Sequence, residues 1–249
     1  MIRLDHVSKH FGGQTPALSD VTVEMKDGEF IFLIGPSGAG KTTLIRLLIR
    51  DLIPSQGNIF IDTVDVGKLL PADVHLLRRK IGTVFQDFKL LMERTVYENI
   101  AIVLEIVGKS PREIERAVTD VLELVGLAEK RHVFPLQLSA GEMQRVGLAR
   151  AIVGGPKILL ADEPTGNLDP ETAWEILRIL DEINSMGTTI VMATHNADIV
   201  NAMKKRTLTL HQGVMVADEE KGRYSAIVKH KTVVHPHQHV QKGKDHASS

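Results

Sequence analysis

Nine consecutive residues, Gly35-Pro36-Ser37-Gly38-Ala39-Gly40-Lys41-Thr42-Thr43, fit the pattern G-x-x-x-x-G-K-[ST] of a phosphate-binding loop. Their chemistry is that of a polyphosphate cradle. Glycines let successive backbone N–H groups curl round phosphate oxygens, and a helix N-terminus behind them offers its positive end to the same anion. Lys41 has the length to reach β- and γ-phosphates, and the Thr42 hydroxyl can ligate Mg²⁺. A second reactive group closes the run Ile158-Leu159-Leu160-Ala161-Asp162-Glu163. An apolar strand ending in two carboxylates places Asp162 to hold Mg²⁺ through its water shell. Glu163 is then placed to polarise the water that attacks a γ-phosphate. Taken alone, the pair could equally be solvated acids at a strand end; beside a phosphate loop the hydrolytic reading is the stronger. Together these residues imply a nucleoside triphosphate and its hydrolysis.

A phosphate loop works only between a buried strand and a helix, and the flanking residues supply both. Residues 2–7, 21–25 and 30–34 read as strands ahead of the loop. Residues 41–52 carry Leu44, Ile45, Leu47 and Leu48 at helical spacing and stop at Pro54 with Ser55-Gln56-Gly57. Further strands are expected at 58–62 and 81–85. From about residue 88 to 154 strand signals vanish. There, 95–107 and 111–125 show helical periodicity, the second opened by Ser110-Pro111 as cap and first position. Strands resume at 157–161 and 188–193, separated by a helix over 171–185. The alternation predicts an α/β domain with a largely parallel sheet, interrupted by a helical insertion over about 88–154. One cassette of two subdomains is expected over 1–220. Residues 221–249 form a polar tail that reads as disordered. Its His235, His237 and His239 are possible Zn²⁺ or Ni²⁺ ligands, but Pro236 leaves them no fixed geometry, so a solvated extension is the preferred reading.

Composition excludes several classes. The 249 residues are 43% hydrophobic, enough for a sizeable core, and the net charge of −1 from 30 basic and 31 acidic residues gives no global drive towards nucleic acid. With no cysteine, disulfides and thiolate metal sites are ruled out. No window approaches the ~20 apolar residues of a membrane span, and the first residues lack the apolar core of a signal peptide. The expectation is a soluble, intracellular chain whose membrane association comes through a partner.

Between the loop and the acidic strand stands Leu138-Ser139-Ala140-Gly141-Glu142. It resembles the signature loop, L-S-G-G-Q, of the ATP-binding-cassette ATPases. The likeness covers about residues 1–220 and implies a RecA-like P-loop core with an antiparallel β subdomain and a helical insertion. It further implies ATP and Mg²⁺ as ligands. Gln86 matches the glutamine that senses Mg²⁺ and γ-phosphate, and Asn167-Leu168-Asp169 matches the loop along the dimer seam. His195 matches the histidine that contacts the γ-phosphate, and Phe11 the aromatic stacked on adenine. Ser139 and Gly141 resemble residues that reach the γ-phosphate of a second copy, so a homodimer closing on ATP is implied. Two departures stand out. Ala140 replaces a glycine, which would strain the loop if a glycine-like backbone angle is needed. Glu142 replaces glutamine, a familiar variant.

Phe85-Gln86-Asp87-Phe88-Lys89-Leu90-Leu91 and Arg94-Thr95-Val96-Tyr97-Glu98-Asn99-Ile100 resemble the bacterial cell-division branch of this family. That likeness implies an integral membrane partner bound through the helical insertion, a place at the cytoplasmic face of the membrane, and control of cell-wall hydrolysis across it. An apolar groove lined by Leu90, Leu91 and Met92 would suit a short amphipathic helix of that partner. The rival is an exporter or lipoprotein-extraction ATPase with the same nucleotide chemistry. A cassette acting on DNA or ribosomes is disfavoured by the absence of a second cassette, coiled coil or basic patch.

Overall fold

A computed structural model of the chain describes residues 1–12 and 15–222; the His-rich stretch lies outside them. Strand β1 (Ile2–Lys9) pairs antiparallel with β2 (Leu18–Met25) and with β4 (Gln56–Ile61), and β5 (Val64–Asp65) completes a four-stranded sheet in the order β2-β1-β4-β5. The second sheet has six strands. Its parallel part is β3 (Phe30–Ile34), β6 (Ile81–Phe85), β7 (Ile158–Asp162), β8 (Thr189–Ala193) and β9 (Arg206–His211). An antiparallel edge strand, β10 (Val214–Glu219), gives the order β10-β9-β3-β8-β7-β6. Both β3 and β8 are buried along their whole length, as a parallel strand covered on two faces must be.

The helices are α1 (Lys41–Leu48), α2 (Val74–Arg78), α3 (Val96–Ile106), α4 (Pro111–Leu124), α5 (Ala140–Ile152), α6 (Pro170–Ser185) and α7 (Ala197–Met203). One core cluster joins the antiparallel sheet and α1 to one face of the parallel sheet, through Leu4, Met25, Leu33, Leu44, Leu160 and Val191. A second covers the other face, where Phe32, Leu159 and Met192 meet Leu148, Leu180 and Val200 of the helices. The third lies among α3, α4 and α5, built on Val96, Ile100 and Leu104 against Ile114, Val118 and Leu122. Helix α5 serves two cores: Leu148 and Ile152 face the sheet, while Val146, Ala149 and Val153 face α3 and α4.

Several elements depart from expectation. Helix α1 ends at Leu48 rather than 52, because Arg50 turns left-handed at φ 56° and the Asp51 amide closes back on the Arg46 carbonyl at 2.9 Å. The β9–β10 hairpin, α5 and α7 were not foreseen as elements. Ala140 is an ordinary first helical residue, absent from the left-handed region. The condition for strain is therefore not met, because the signature residues begin a helix.

Candidate active site

Four parallel strands bring sequence-distant residues to one edge of the sheet. The phosphate loop follows β3, Gln86 follows β6, Glu163 follows β7, and His195 lies two residues beyond β8. Register aligns these ends, with Leu33 opposite Ala193 and Asp162 opposite both Ala193 and Phe85. Carboxyl ends of adjacent parallel strands are where such sheets leave a crevice. Here it is a cleft of ≈ 490 Å³ lined by Ala17, Ser37–Thr43, Gln86, Glu163 and His195.

Within it, Lys41 is buried, and its Nζ donates to the carbonyls of Gly35 at 2.8 Å and Pro36 at 3.3 Å. The same ammonium stands 3.7 Å from Glu163 Oε1. The other Glu163 oxygen, Oε2, accepts from His195 Nδ1 at 2.7 Å. Glu163 occupies a left-handed backbone position at φ 51°, with its amide bonded to the Ala193 carbonyl. The turn out of β7 thereby swings its carboxylate towards the loop. Asp162 is half-buried, and burial pushes its carboxyl above the usual range, the nearby Thr42 hydroxyl opposing and Glu163 adding to the rise. Its Oδ1 is buried with no hydrogen-bond partner among the described residues. An orphaned carboxylate oxygen on a carboxyl that is bonded to a threonine hydroxyl offers the hard oxygen ligands that Mg²⁺ takes.

Gln86 is tied down by Asn167 through reciprocal bonds, Gln86 Nε2 to Asn167 Oδ1 and Asn167 Nδ2 to the Gln86 carbonyl, both 3.3 Å. Phe11 stands in the β1–β2 connection, 57% exposed, with Lys9 Nζ 5.2 Å from its ring centroid; it does not line the cleft. Ser139, Gly141 and Asp169 do not line it either. They form a separate cluster where α5 and α6 begin. Ser139 caps α5, its Oγ accepting from the Glu142 amide while Glu142 accepts from the Ser139 amide at 2.9 Å. Asp169 caps α6 at the Thr172 amide, and Thr172 packs on Gly141 so closely that a Cβ there would fall 2.3 Å from Thr172 Cγ2. The hydrogen bonds from Thr172 hold the Asp169 carboxyl below the usual range.

Ala17 in the cleft wall went unforeseen, since a small residue at a loop end carries no sequence signal. The Ser139–Glu142 pair also fits the helix-start pattern [ST]-x-x-E, and it forms a capping box. Leu90 packs into the helical core, whereas Leu91 and Met92 are exposed. A groove lies between α2 and α3. It measures ≈ 810 Å³, with Arg50, His75, Arg78 and Arg79 along one wall and Val103, Ile106 and Val107 along the other. No helix among the described residues is long and apolar enough to cross a membrane.

A family model described as ABC transporter matches residues 18–166. The chain is 48% identical over 226 residues to the cell division ATP-binding protein FtsE of Bacillus subtilis, covering 91% of this chain and 99% of that protein. It is 50% identical over 225 residues to FtsE of Mycobacterium tuberculosis, covering 90% and 98%. A solved dimeric ATP-binding cassette in a post-hydrolysis state bound to ADP and Pi matches with a TM-score of 0.81 at 32% identity, covering 90% of this chain and all of that one.

Proposed function

The chain belongs to the ABC transporter family of ATP-binding cassettes, and from that premise we propose that it is an FtsE-type ATPase driving an FtsX-like integral membrane protein in bacterial cell division. The observation that carries the chemistry is the convergence of Lys41, Thr42, Glu163 and His195 on one cleft, with Asp162 bonded to the Thr42 hydroxyl beside it. ATP enters with its phosphates on the loop amides, and Lys41 exchanges the carbonyls of Gly35 and Pro36 for β- and γ-phosphate oxygens. Thr42, Asp162 and Gln86 would hold Mg²⁺, and the ion would supply positive charge against the phosphate oxygens. Glu163 polarises a water in line with the γ-phosphorus. As the water oxygen bonds to phosphorus, its proton passes to the Glu163 carboxylate, the bond to the bridging oxygen breaks, and ADP and inorganic phosphate result. His195 orients Glu163 through the 2.7 Å bond, and Phe11 stacks on adenine.

Ser139, Gly141 and Asp169 lie outside the cleft of their own copy, which supports the reading that they complete the site of a second. Two copies then sandwich two nucleotides across a two-fold axis, the dimer closing on ATP and opening after hydrolysis. The membrane partner docks through the Gln86 segment and the helical insertion. The basic wall and apolar wall of the α2–α3 groove favour an amphipathic helix from it. On this reading the chain acts at the cytoplasmic face of the membrane, and no helix among its described residues is long and apolar enough to cross it. Its shape change is passed to wall hydrolases on the far side.

Purification of Glu163→Gln from native membranes with MgATP tests the assignment. Recovery of an FtsX-like four-span protein with an extracytoplasmic domain is the expected result. Recovery of a permease with an efflux or lipoprotein-delivery adaptor instead would overturn the cell-division role and leave the ATPase in place.

A further inference from the structure

Nucleotide chemistry does not account for Asp87-Phe88-Lys89-Leu90-Leu91. Phe88 and Lys89 are consecutive non-glycine residues at φ 59° and 49°, the left-handed region that side chains disfavour. Such a pair persists only where its surroundings hold it. The holder here is Arg150 on the last turn of α5. Its Nη1 donates to the Lys89 carbonyl at 2.8 Å and its Nη2 to the Phe88 carbonyl at 3.0 Å. The guanidinium is largely buried and has no carboxylate partner among the described residues, so its fixed fork is committed to these two carbonyls.

The gripped pair sits between two other fixings. Two residues earlier, Gln86 is bonded to Asn167; two residues later, the Leu91 amide and carbonyl are bonded to Asn99 of α3 at 2.8 and 2.9 Å. Arg150 is the attachment to α5, and the helix lies against the segment: a Cβ on Gly147 would stand 3.6 Å from the Phe88 carbonyl oxygen. At the other end of α5, about 16 Å away along its axis, are Ser139 and Gly141. One rigid helix therefore has its first turn in the region facing a second copy and its last turn on the segment that follows Gln86.

We propose that Arg150 is a positioning residue for ATP hydrolysis, fastening the segment after Gln86 to α5 so that movement of Gln86 on nucleotide binding re-aims Ser139 and Gly141. This rests on the reading that Gln86 responds to nucleotide and that Ser139 and Gly141 complete the partner's site. Lysine cannot replace the arginine in full, because one ammonium on a flexible stem does not present two parallel donors to adjacent carbonyls.

The test compares the full chain with Arg150→Met and Arg150→Lys, reading affinity for a fluorescent ATP analogue, turnover, thermal midpoint and ATP-driven dimerisation in a Glu163→Gln background. The phosphate loop is untouched, so analogue affinity of Arg150→Met stays within about twofold of the parent while kcat falls about tenfold or more. The ATP concentration for half-maximal dimerisation rises by a similar factor, and Arg150→Lys falls between. Parent-like turnover in Arg150→Met overturns the proposal, as does a parallel fall of affinity, midpoint and kcat, which would mark a purely structural residue. Should Arg150→Met fail to fold, Arg150→Lys decides. Reduced kcat at unchanged affinity upholds the coupling, and parent-like kcat overturns it. Glu163→Gln that stays monomeric at saturating ATP with Arg150 intact overturns the dimer reading, and the coupling with it.

Discussion

Gly141 illustrates how a single atom can be the whole constraint at the residue scale. A Cβ at this position would meet Thr172 Cγ2 at 2.3 Å, and both residues lie in the first turns of helices whose caps, Ser139 and Asp169, fix their places. Gly141→Ala is therefore expected to destabilise the fold by about 1–3 kcal/mol. Adding Thr172→Ser, which removes the obstructing methyl, should restore most of the loss. Thermal or denaturant unfolding of the two single variants and the double variant measures this coupling, and additive effects would refute the contact. Neighbouring Ala140 carries no such constraint, so its departure from glycine is tolerated. Gly35 resembles Gly141 with a harder obstacle: its φ is 147°, and a Cβ would fall 2.1 Å from the Leu210 carbonyl oxygen, part of the backbone of β9. The need for glycine there was plain from the phosphate-loop pattern, but the strand that enforces it was not.

Elements of the helical insertion announce themselves by their starts. Thr95–Glu98, Ser110–Glu113 and Ser139–Glu142 are three reciprocal capping boxes, opening α3, α4 and α5. At α4 the bond from Lys109, followed by those from the Ser110 amide and hydroxyl, lowers the Glu113 carboxyl from 4.5 to about 2. A carboxylate whose folded value is depressed contributes stability above its unfolded value, and that contribution is lost as pH falls towards the folded value. Glu113→Gln should accordingly be less stable than the parent above pH 4.5, with the gap closing as pH is lowered to about 2. Melting curves of both proteins across that window test it; a gap that stays constant would assign the loss to packing. The periodicity of α3 and α4 was legible because Val96, Ile100 and Leu104, like Ile114, Val118 and Leu122, recur every four residues on one face. The β9 run Arg206–His211 was not, because its alternating polar residues become strand only by pairing with β3, more than 170 residues earlier.

At the scale of the whole molecule, the cleft of one copy holds the loop, Glu163 and His195, while Ser139, Gly141 and Asp169 sit apart from it. If Glu163 is the base proposed here, Glu163→Gln, which keeps its shape and removes its charge, should accumulate as a dimer with ATP and turn over little. Gel filtration with and without MgATP checks this, and a monomer under both conditions would count against a shared site. Because dimerisation stabilises only the folded chain, its midpoint should also rise with ATP and with protein concentration. The local pattern by itself determined that the chain carries a phosphate-loop motif, that an apolar strand ends in Asp162 and Glu163, and that strands and helices alternate round an all-helical stretch. Each of those follows from contiguous residues, in which strand, loop and helix are consecutive and spacing alone carries the chemistry. Only the tertiary structure decided the strand order β9-β3-β8-β7-β6, the Gln86–Asn167 tie, the packing of Thr172 on Gly141 and the grip of Arg150 on Phe88 and Lys89. These contacts join residues tens to nearly two hundred positions apart, and they form because buried faces must find one another, which no local spacing records.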